Sequence, residues 1–409
     1  MTGRDVTHPN LNTHLVDTAT PPIPEAAGWL AGYDGRFGPA INLSQAVPGD
    51  PPPQVFLDRI SSAAASAEAT RYGDIFGDEA LRQAYARACS SLYGAPITPE
   101  ETAITAGCNQ AFFVSILAVA KAGDAVLLPS PWYFNHKMTL DMLGIEARPL
   151  PLSAERGFLP DAGAARPLID DTVKAIVLVT PNNPTGAVYP AATVAAFKEM
   201  AFENNLWLVI DETYRDFLPG SSLHRAFTTP DWRSCVISLY SFSKSYAIPG
   251  HRVGAITAAA PVIEEIGKVL DCVQICPARA AQMALPWAMD NLTDWRQDVN
   301  ATLADRLIAF QAALDLCPGW RLDQIGAYFA YVRHPFAGVS ATAVAEHLAR
   351  EFGLLVLPGS YFGPGQDDHL RFAFANVDAA TIEKACERLA LYAQTAAQTD
   401  IEARDQGHG

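Results

Sequence analysis

Ser238-Leu239-Tyr240-Ser241-Phe242-Ser243-Lys244-Ser245-Tyr246-Ala247-Ile248-Pro249-Gly250-His251-Arg252-Val253-Gly254 is the stretch that decides how this chain is read. An apolar run from Cys235 to Tyr240 ends in a serine-rich turn that presents one lysine. Proline, glycine and arginine follow before the next apolar run begins. In an α/β protein, residues just past the carboxyl end of a strand line the crevice where ligands bind. A lysine desolvated there, or set beside another cation, becomes an amine nucleophile. Taken alone, Lys244 reads equally as a solvated surface lysine.

Working outward, the same pattern recurs. Between residues 100 and 260, short apolar runs rich in Val, Ile and Leu alternate with helical stretches. The runs are Ala125–Leu128, Lys174–Val179, Leu206–Ile210, Cys235–Tyr240 and Val253–Ala258, and they read as strands buried on both faces. Gln110–Lys121, Trp132–Leu143 and Ala191–Asn204 read as the intervening helices. Alternating βα units predict an α/β fold with a mostly parallel sheet flanked by helices. Upstream, residues 1–40 read as irregular, with the breaker Pro21-Pro22-Ile23-Pro24-Glu25. Helices are expected over Gln54–Ala67 and Asp78–Tyr93, the second capped by Asp78. Downstream, helices to Leu316 precede strands at Tyr328–Arg333, Leu354–Pro358 and Leu370–Ala375, with helices at Ala341–Phe352 and Asp378–Thr395. This is a smaller α+β unit, and the tail from Ala396 reads as frayed.

Bulk properties bound the function. The chain has 409 residues, of which 49% are hydrophobic and 18% charged, as in a globular enzyme of more than one domain. The net charge of −15, from 29 basic and 44 acidic residues, argues against nucleic acid or an anionic membrane as partner. No apolar run is long enough to span a bilayer, and the N-terminus lacks the apolar core of a signal peptide, so a cytoplasmic location is expected. The seven cysteines are scattered and odd in number, which suits reduced thiols. Cys272 and Cys276 have no second Cys or His cluster near them, so no metal is expected.

Three predicted strand ends carry chemistry. Lys174–Val179 leads into Thr180-Pro181-Asn182-Asn183-Pro184-Thr185-Gly186. Leu206–Ile210 leads into Asp211-Glu212-Thr213-Tyr214, and Cys235–Tyr240 into Ser241-Phe242-Ser243-Lys244. In a parallel sheet these ends share one edge. Each alone has an ordinary explanation: a rigid turn for Asn183, a helix cap for Asp211, core packing for Tyr214. Together they supply what pyridoxal phosphate needs: a lysine for its aldehyde, a carboxylate for its ring nitrogen and donors for its phenolate oxygen. Gly107-Cys108-Asn109 stands before a helix whose N-terminal amides suit a phosphate, with Ser241, Ser243 and Arg252 completing the cage. Trp132 and Tyr133 offer a ring to cover the cofactor, while core packing suits one of the two.

The ordered set NNPTG, D-x-x-Y and S-x-S-K-x7-R resembles the fold-type-I pyridoxal-phosphate enzymes, in particular the class I and II aminotransferases. The resemblance runs from about Asn42 to Leu389. It implies a seven-stranded-type sheet in a large domain, taken as residues 54–290, and a small domain built from both chain ends, residues 1–53 plus 291–409. It implies Lys244 as Schiff-base lysine and proton shuttle, Asp211 on the pyridine nitrogen, and Asn183 and Tyr214 on the phenolate oxygen. Tyr133 aligns with the stacking aromatic, and Gly107, Cys108, Asn109, Ser241, Ser243 and Arg252 with the phosphate site. Tyr72, in a Y-x4-G-x3-L-R segment, aligns with a tyrosine that reaches the neighbouring subunit's phosphate, which implies a homodimer with shared sites. Arg371 aligns with the arginine that grips the substrate α-carboxylate. Asn183 and Ala46 also fall at substrate positions, though relatives commonly carry glycine where Ala46 stands, and often where Cys108 stands. Arg279 lies near the expected interface and is left without a role.

The implied reaction moves an amino group from an L-amino acid to a 2-oxo acid in ping-pong fashion. The same residues serve a β- or γ-eliminating lyase or a ring-forming synthase, so these alternatives stay open. A catalytically inert cofactor-binding module is disfavoured by the intact lysine, aspartate and arginine. A dehydrogenase is disfavoured because no G-x-G-x-x-G follows the first strand. No second arginine is evident for a distal carboxylate, which favours a neutral or aromatic amino acid over aspartate.

Overall fold

The computed structural model describes residues 10–218 and 223–406. Its centre is a seven-stranded sheet in the spatial order Thr102–Thr105, Gly254–Thr257, Val236–Ser241, Trp207–Asp211, Val173–Val179, Ala125–Ser130, Glu146–Pro151. Only Gly254–Thr257 runs antiparallel to its neighbours. The strands are apolar on both faces because both faces are covered. Successive residues in a strand point to opposite sides. Thus Ala125, Leu127, Ile176, Leu178, Leu208 and Ile210 enter one apolar core. Val126, Leu128, Ala175, Val177, Val209 and Ile237 enter the other. Each Val, Leu or Ile among them, fully buried, contributes ~1.5–3 kcal/mol relative to exposure.

The second sheet has four antiparallel strands, Leu357–Pro358, His369–Ala373, Phe329–Arg333 and Arg321–Gly326 in that order. Phe329, Val332, Leu370 and Phe372 join Phe310, Leu348 and Ile382 in a third core. Ile41–Asn42 pairs in parallel with Leu354–Leu355, tying the early chain to this C-terminal unit. No helix among the described residues is long and apolar enough to cross a membrane.

Several details differ from the sequence expectation. Asp78 precedes the helix Glu79–Tyr93 but makes no side-chain cap; its carboxylate takes the Arg279 Nε–H at 2.9 Å. The helix expected from Trp132 begins at Phe134, leaving Tyr133 at its cap position. The Pro21–Glu25 breaker instead opens a short helix, Pro22–Ala27, with proline in its first turn, where the missing N–H costs no hydrogen bond. Leu354–Pro358 divides between two sheets. The last helix does not stop at Thr395 but continues to Gln406; Met1–Pro9 of the N-terminal arm lie outside the described residues. Glu146–Pro151 escaped notice because it is an edge strand, where charge and proline are tolerated.

Candidate active site

The carboxyl ends of the parallel strands share one edge. The single reversed strand brings one more group there, because it starts where its neighbours end. Gly254 is in register with both Ser241 and Thr105, so Arg252, two residues earlier, falls on the same edge. Gly254 is required by close approach: a Cβ there would lie 2.6 Å from the carbonyl carbon of Gly107 and 2.8 Å from the Cys108 nitrogen. Gly107 has φ +83°, open to glycine but strained for other residues. It caps the helix Cys108–Val119, whose first amides face the edge unpaired by intrahelical bonds.

A cavity of about 180 Å³ opens on this edge. Ala46, Cys108, Asn109, Tyr133, Asn183, Asp211, Tyr214, Ser241, Ser243, Lys244, Arg252 and Arg371 all line it. They come from the early loop, four sheet strand ends, a helix start and the second sheet. Gly107 lies beside it under the Arg252 guanidinium. Tyr72 is not among the lining groups; its side chain is 78% exposed. Trp132 packs in the core, whereas Tyr133 lines the cavity.

Lys244 Nζ donates to the Ala46 carbonyl at 2.6 Å. Burial, with the positive charges of Arg252 and Arg371, lowers its pKa to about 8. Asp211 is buried, which alone would raise its pKa. The hydrogen bond and charge of His136 and the bonds from Thr213 outweigh burial and hold the carboxyl below its usual range. His136 Nε2 lies 3.2 Å from Asp211 Oδ2, and the Thr213 amide donates to Oδ1 at 2.9 Å. His136 is clamped against Phe112 with ring centroids 3.9 Å apart.

Arg371 is fully buried between the rings of Phe329 and Phe362, 5.3 and 5.1 Å from its guanidinium carbon. It donates to Asn183 Oδ1 at 3.1 Å and to the Ser44 carbonyl, while its Nε–H has no partner. Arg252 donates to the carbonyls of Pro249 at 3.0 Å and Ala106 at 3.4 Å. Ser241 Oγ accepts from the Ser243 amide at 3.3 Å, and the buried Ser243 hydroxyl has no partner. Burial pushes Tyr133 up to about 12 and Tyr214 well above the usual phenol value, so both keep their protons. Arg279 is fully engaged, with Asp78 and with the carbonyl and carboxylate of Glu68.

Sequence reading missed Ile23, Thr213, Phe134 and His136. His136 was within reach: it lies three residues after Tyr133, one helical turn on, and so shares its face. Ile23 was hidden by reading its proline neighbours as breakers.

The sequence pattern of the aminotransferase class I and II family matches residues 39–389. The chain is similar to the arginine–pyruvate transaminase of Pseudomonas aeruginosa, 29% identical over 326 residues, covering 79% of this chain and 82% of that protein. It is also similar to the aspartate/prephenate aminotransferase of Thermus thermophilus, 29% identical over 331 residues, covering 78% and 83%. A solved structure of a single mutant of Thermus thermophilus aspartate aminotransferase superposes with a TM-score of 0.86, at 26% identity, over 94% of this chain and 99% of that one.

Proposed function

This chain belongs to the class I and II aminotransferases, and on that footing we propose that it carries pyridoxal 5'-phosphate on Lys244 and moves an amino group from an L-amino acid to a 2-oxo acid. The observation that carries the assignment is the convergence of Lys244, Asp211, Asn183 and Arg371, from four separate elements, on one cavity.

The donor set fits the cofactor. A carboxylate held charged, a lysine of lowered pKa, an unpartnered buried hydroxyl at Ser243 and free amides at a helix start match a pyridinium, an aldehyde and a phosphate. When bound, the cofactor supplies an aldehyde that condenses with amines and a protonated ring that takes up the electron pair left at Cα. Asp211 would hold the proton on the ring nitrogen, positioned by His136. Tyr214 and Asn183 would donate to the ring oxygen; Asn183 has its amide N–H free for this because its oxygen is taken by Arg371. Gly107, Cys108 and Asn109, with Ser241, Ser243 and Arg252, would receive the phosphate, and Tyr133 would lie on the ring face.

Arg371 would exchange its Ser44 contact for a paired hydrogen bond to the substrate carboxylate. That fixes the Cα–H toward Lys244. Ala46 bounds the same space, and Lys244 would leave the Ala46 carbonyl on taking up the cofactor. Neutral Lys244 Nζ would then be placed to take the proton from the substrate Cα and hold it for return. Its lowered pKa keeps a usable neutral fraction near neutral pH.

The working unit in this reading is a homodimer with shared sites. The exposure of Tyr72, with Val273 at 48% and Ile275 at 45%, supports an interface through which Tyr72 reaches the partner's phosphate site. Residues 54–290 form the cofactor-binding domain and residues 1–53 plus 291–409 the small one, a division supported by the pairing of Ile41–Asn42 with Leu354–Leu355. Seven free cysteines support a cytoplasmic location.

The test is nitrogen transfer. A ¹⁵N-labelled L-amino acid and an unlabelled 2-oxo acid are incubated with cofactor-loaded enzyme, and both products are followed by mass spectrometry. Label in the new amino acid, with parallel double-reciprocal plots, is expected. Labelled ammonia in place of transferred label would contradict the proposal.

A further inference from the structure

Once the groups facing cofactor and carboxylate are set aside, little of the cavity wall is left unassigned. It consists of Ile23, Gln45, Ala46 and Phe134, with Val179 and Thr213 on the sheet side next to Asp211. Apart from one amide and one hydroxyl this wall is apolar. It is also continuous with the carboxylate arginine. Phe362 lies against the Arg371 guanidinium, and Phe134 packs on Phe362 with centroids 5.6 Å apart. Ile23 packs against the apolar cluster that contains both rings.

In the loaded enzyme each cation of the cavity already has an assigned anion or bond: Lys244 the cofactor's aldehyde, Arg252 its phosphate and Arg371 the substrate α-carboxylate. Asp211 is the one carboxylate in the lining, and it is paired with His136. Arg279 is locked by Asp78 and Glu68. A second carboxylate or an ammonium entering beside Phe134 would lose its water and meet no opposite charge among this chain's lining groups beyond those already assigned, whereas an apolar side chain gains by burial there.

We propose that Ile23, Ala46 and Phe134 form the substrate side-chain pocket and select a neutral, apolar amino acid against acidic and basic ones. This inference rests on the aminotransferase reading above and names its substrate class. It gives the short N-terminal helix Pro22–Ala27 a part in specificity.

The experiment uses the cofactor-loaded enzyme and single-turnover absorbance with L-leucine, L-methionine, L-phenylalanine, L-aspartate, L-glutamate and L-arginine. The rate constant per unit concentration is expected to be at least ~100-fold higher for the best apolar amino acid than for any charged one, the scale on which a buried unpaired group discriminates. Competitive binding supplies a readout independent of turnover: 4-methylpentanoate is expected to bind at least ~10-fold more tightly than succinate. Ile23→Arg is expected to narrow the leucine-to-glutamate ratio at least ~10-fold. Aspartate, glutamate or arginine reacting as fast as the best apolar substrate overturns the inference while leaving aminotransfer intact; a cation brought by the partner subunit would have this effect. A loaded enzyme that converts none of the six, and binds neither acid, overturns the aminotransferase reading itself and this inference with it.

Discussion

Replacing Lys244 with methionine keeps an unbranched side chain one heavy atom shorter and removes its charge, and the structure says what that does to the cofactor-free protein. Burial and the nearby Arg252 and Arg371 set the native lysine pKa at about 8. The unfolded chain has an ordinary lysine value of ~10.4. Between these values the unfolded chain binds the extra proton, so wild-type stability rises with pH across this window. Below about 8 the native lysine is itself protonated and its full penalty is present. At ~1.4 kcal/mol per pH unit the penalty is about 3 kcal/mol at pH 7 and falls to roughly 1 kcal/mol at pH 9.5. Methionine removes that penalty but also the hydrogen bond to Ala46, worth ~1 kcal/mol. Lys244→Met should therefore be more stable than wild type by about 2 kcal/mol at pH 7, with the advantage vanishing near pH 9.5. Urea unfolding of both cofactor-free proteins at one concentration, at the two pH values, measures the difference directly. Turnover of the loaded variant should be lost. Equal pH dependence in the two proteins would refute the claim that desolvation and the two arginines hold this lysine down.

Three other substitutions probe the rest of the site. Arg371→Lys loses the planar fork between Phe329 and Phe362, so KM for the amino acid should rise ~10–100-fold while cofactor affinity, read by dialysis, stays unchanged. His136→Phe removes the partner that keeps Asp211 charged; kcat should fall roughly 10–100-fold and the acid limb of its pH profile should move to higher pH, because the Asp211 pKa rises. Gly107→Ala places a methyl 2.8 Å from the Arg252 guanidinium carbon at a φ of +83°, and should weaken cofactor binding ~10-fold or more by equilibrium titration.

The strands that carry the site were legible because they are buried on both faces, and their apolar runs stop where polar chemistry begins. Val179, Asp211 and Ser241 each mark such a stop. The short strands Thr102–Thr105 and Arg321–Gly326 were not legible, since they are brief or mixed in character and take their structure from pairing partners distant in sequence. The reversal of Gly254–Thr257 was hidden for the same reason, yet it is what delivers Arg252 to the edge. His136 and Thr213 were missed because both act through Asp211, and a residue that supports another has no motif of its own. Tyr72 shows the converse: its motif was read easily, but its side chain has no place in this chain's own cavity.

The most direct test of the central claim is to reduce the pyridoxal-phosphate-loaded enzyme with borohydride, digest it and locate the cofactor's mass by peptide sequencing in the spectrometer. Modification of one lysine, Lys244, in the peptide that holds Ser241 and Ser243 is the predicted result. Label on another lysine, or spread over many, would contradict it.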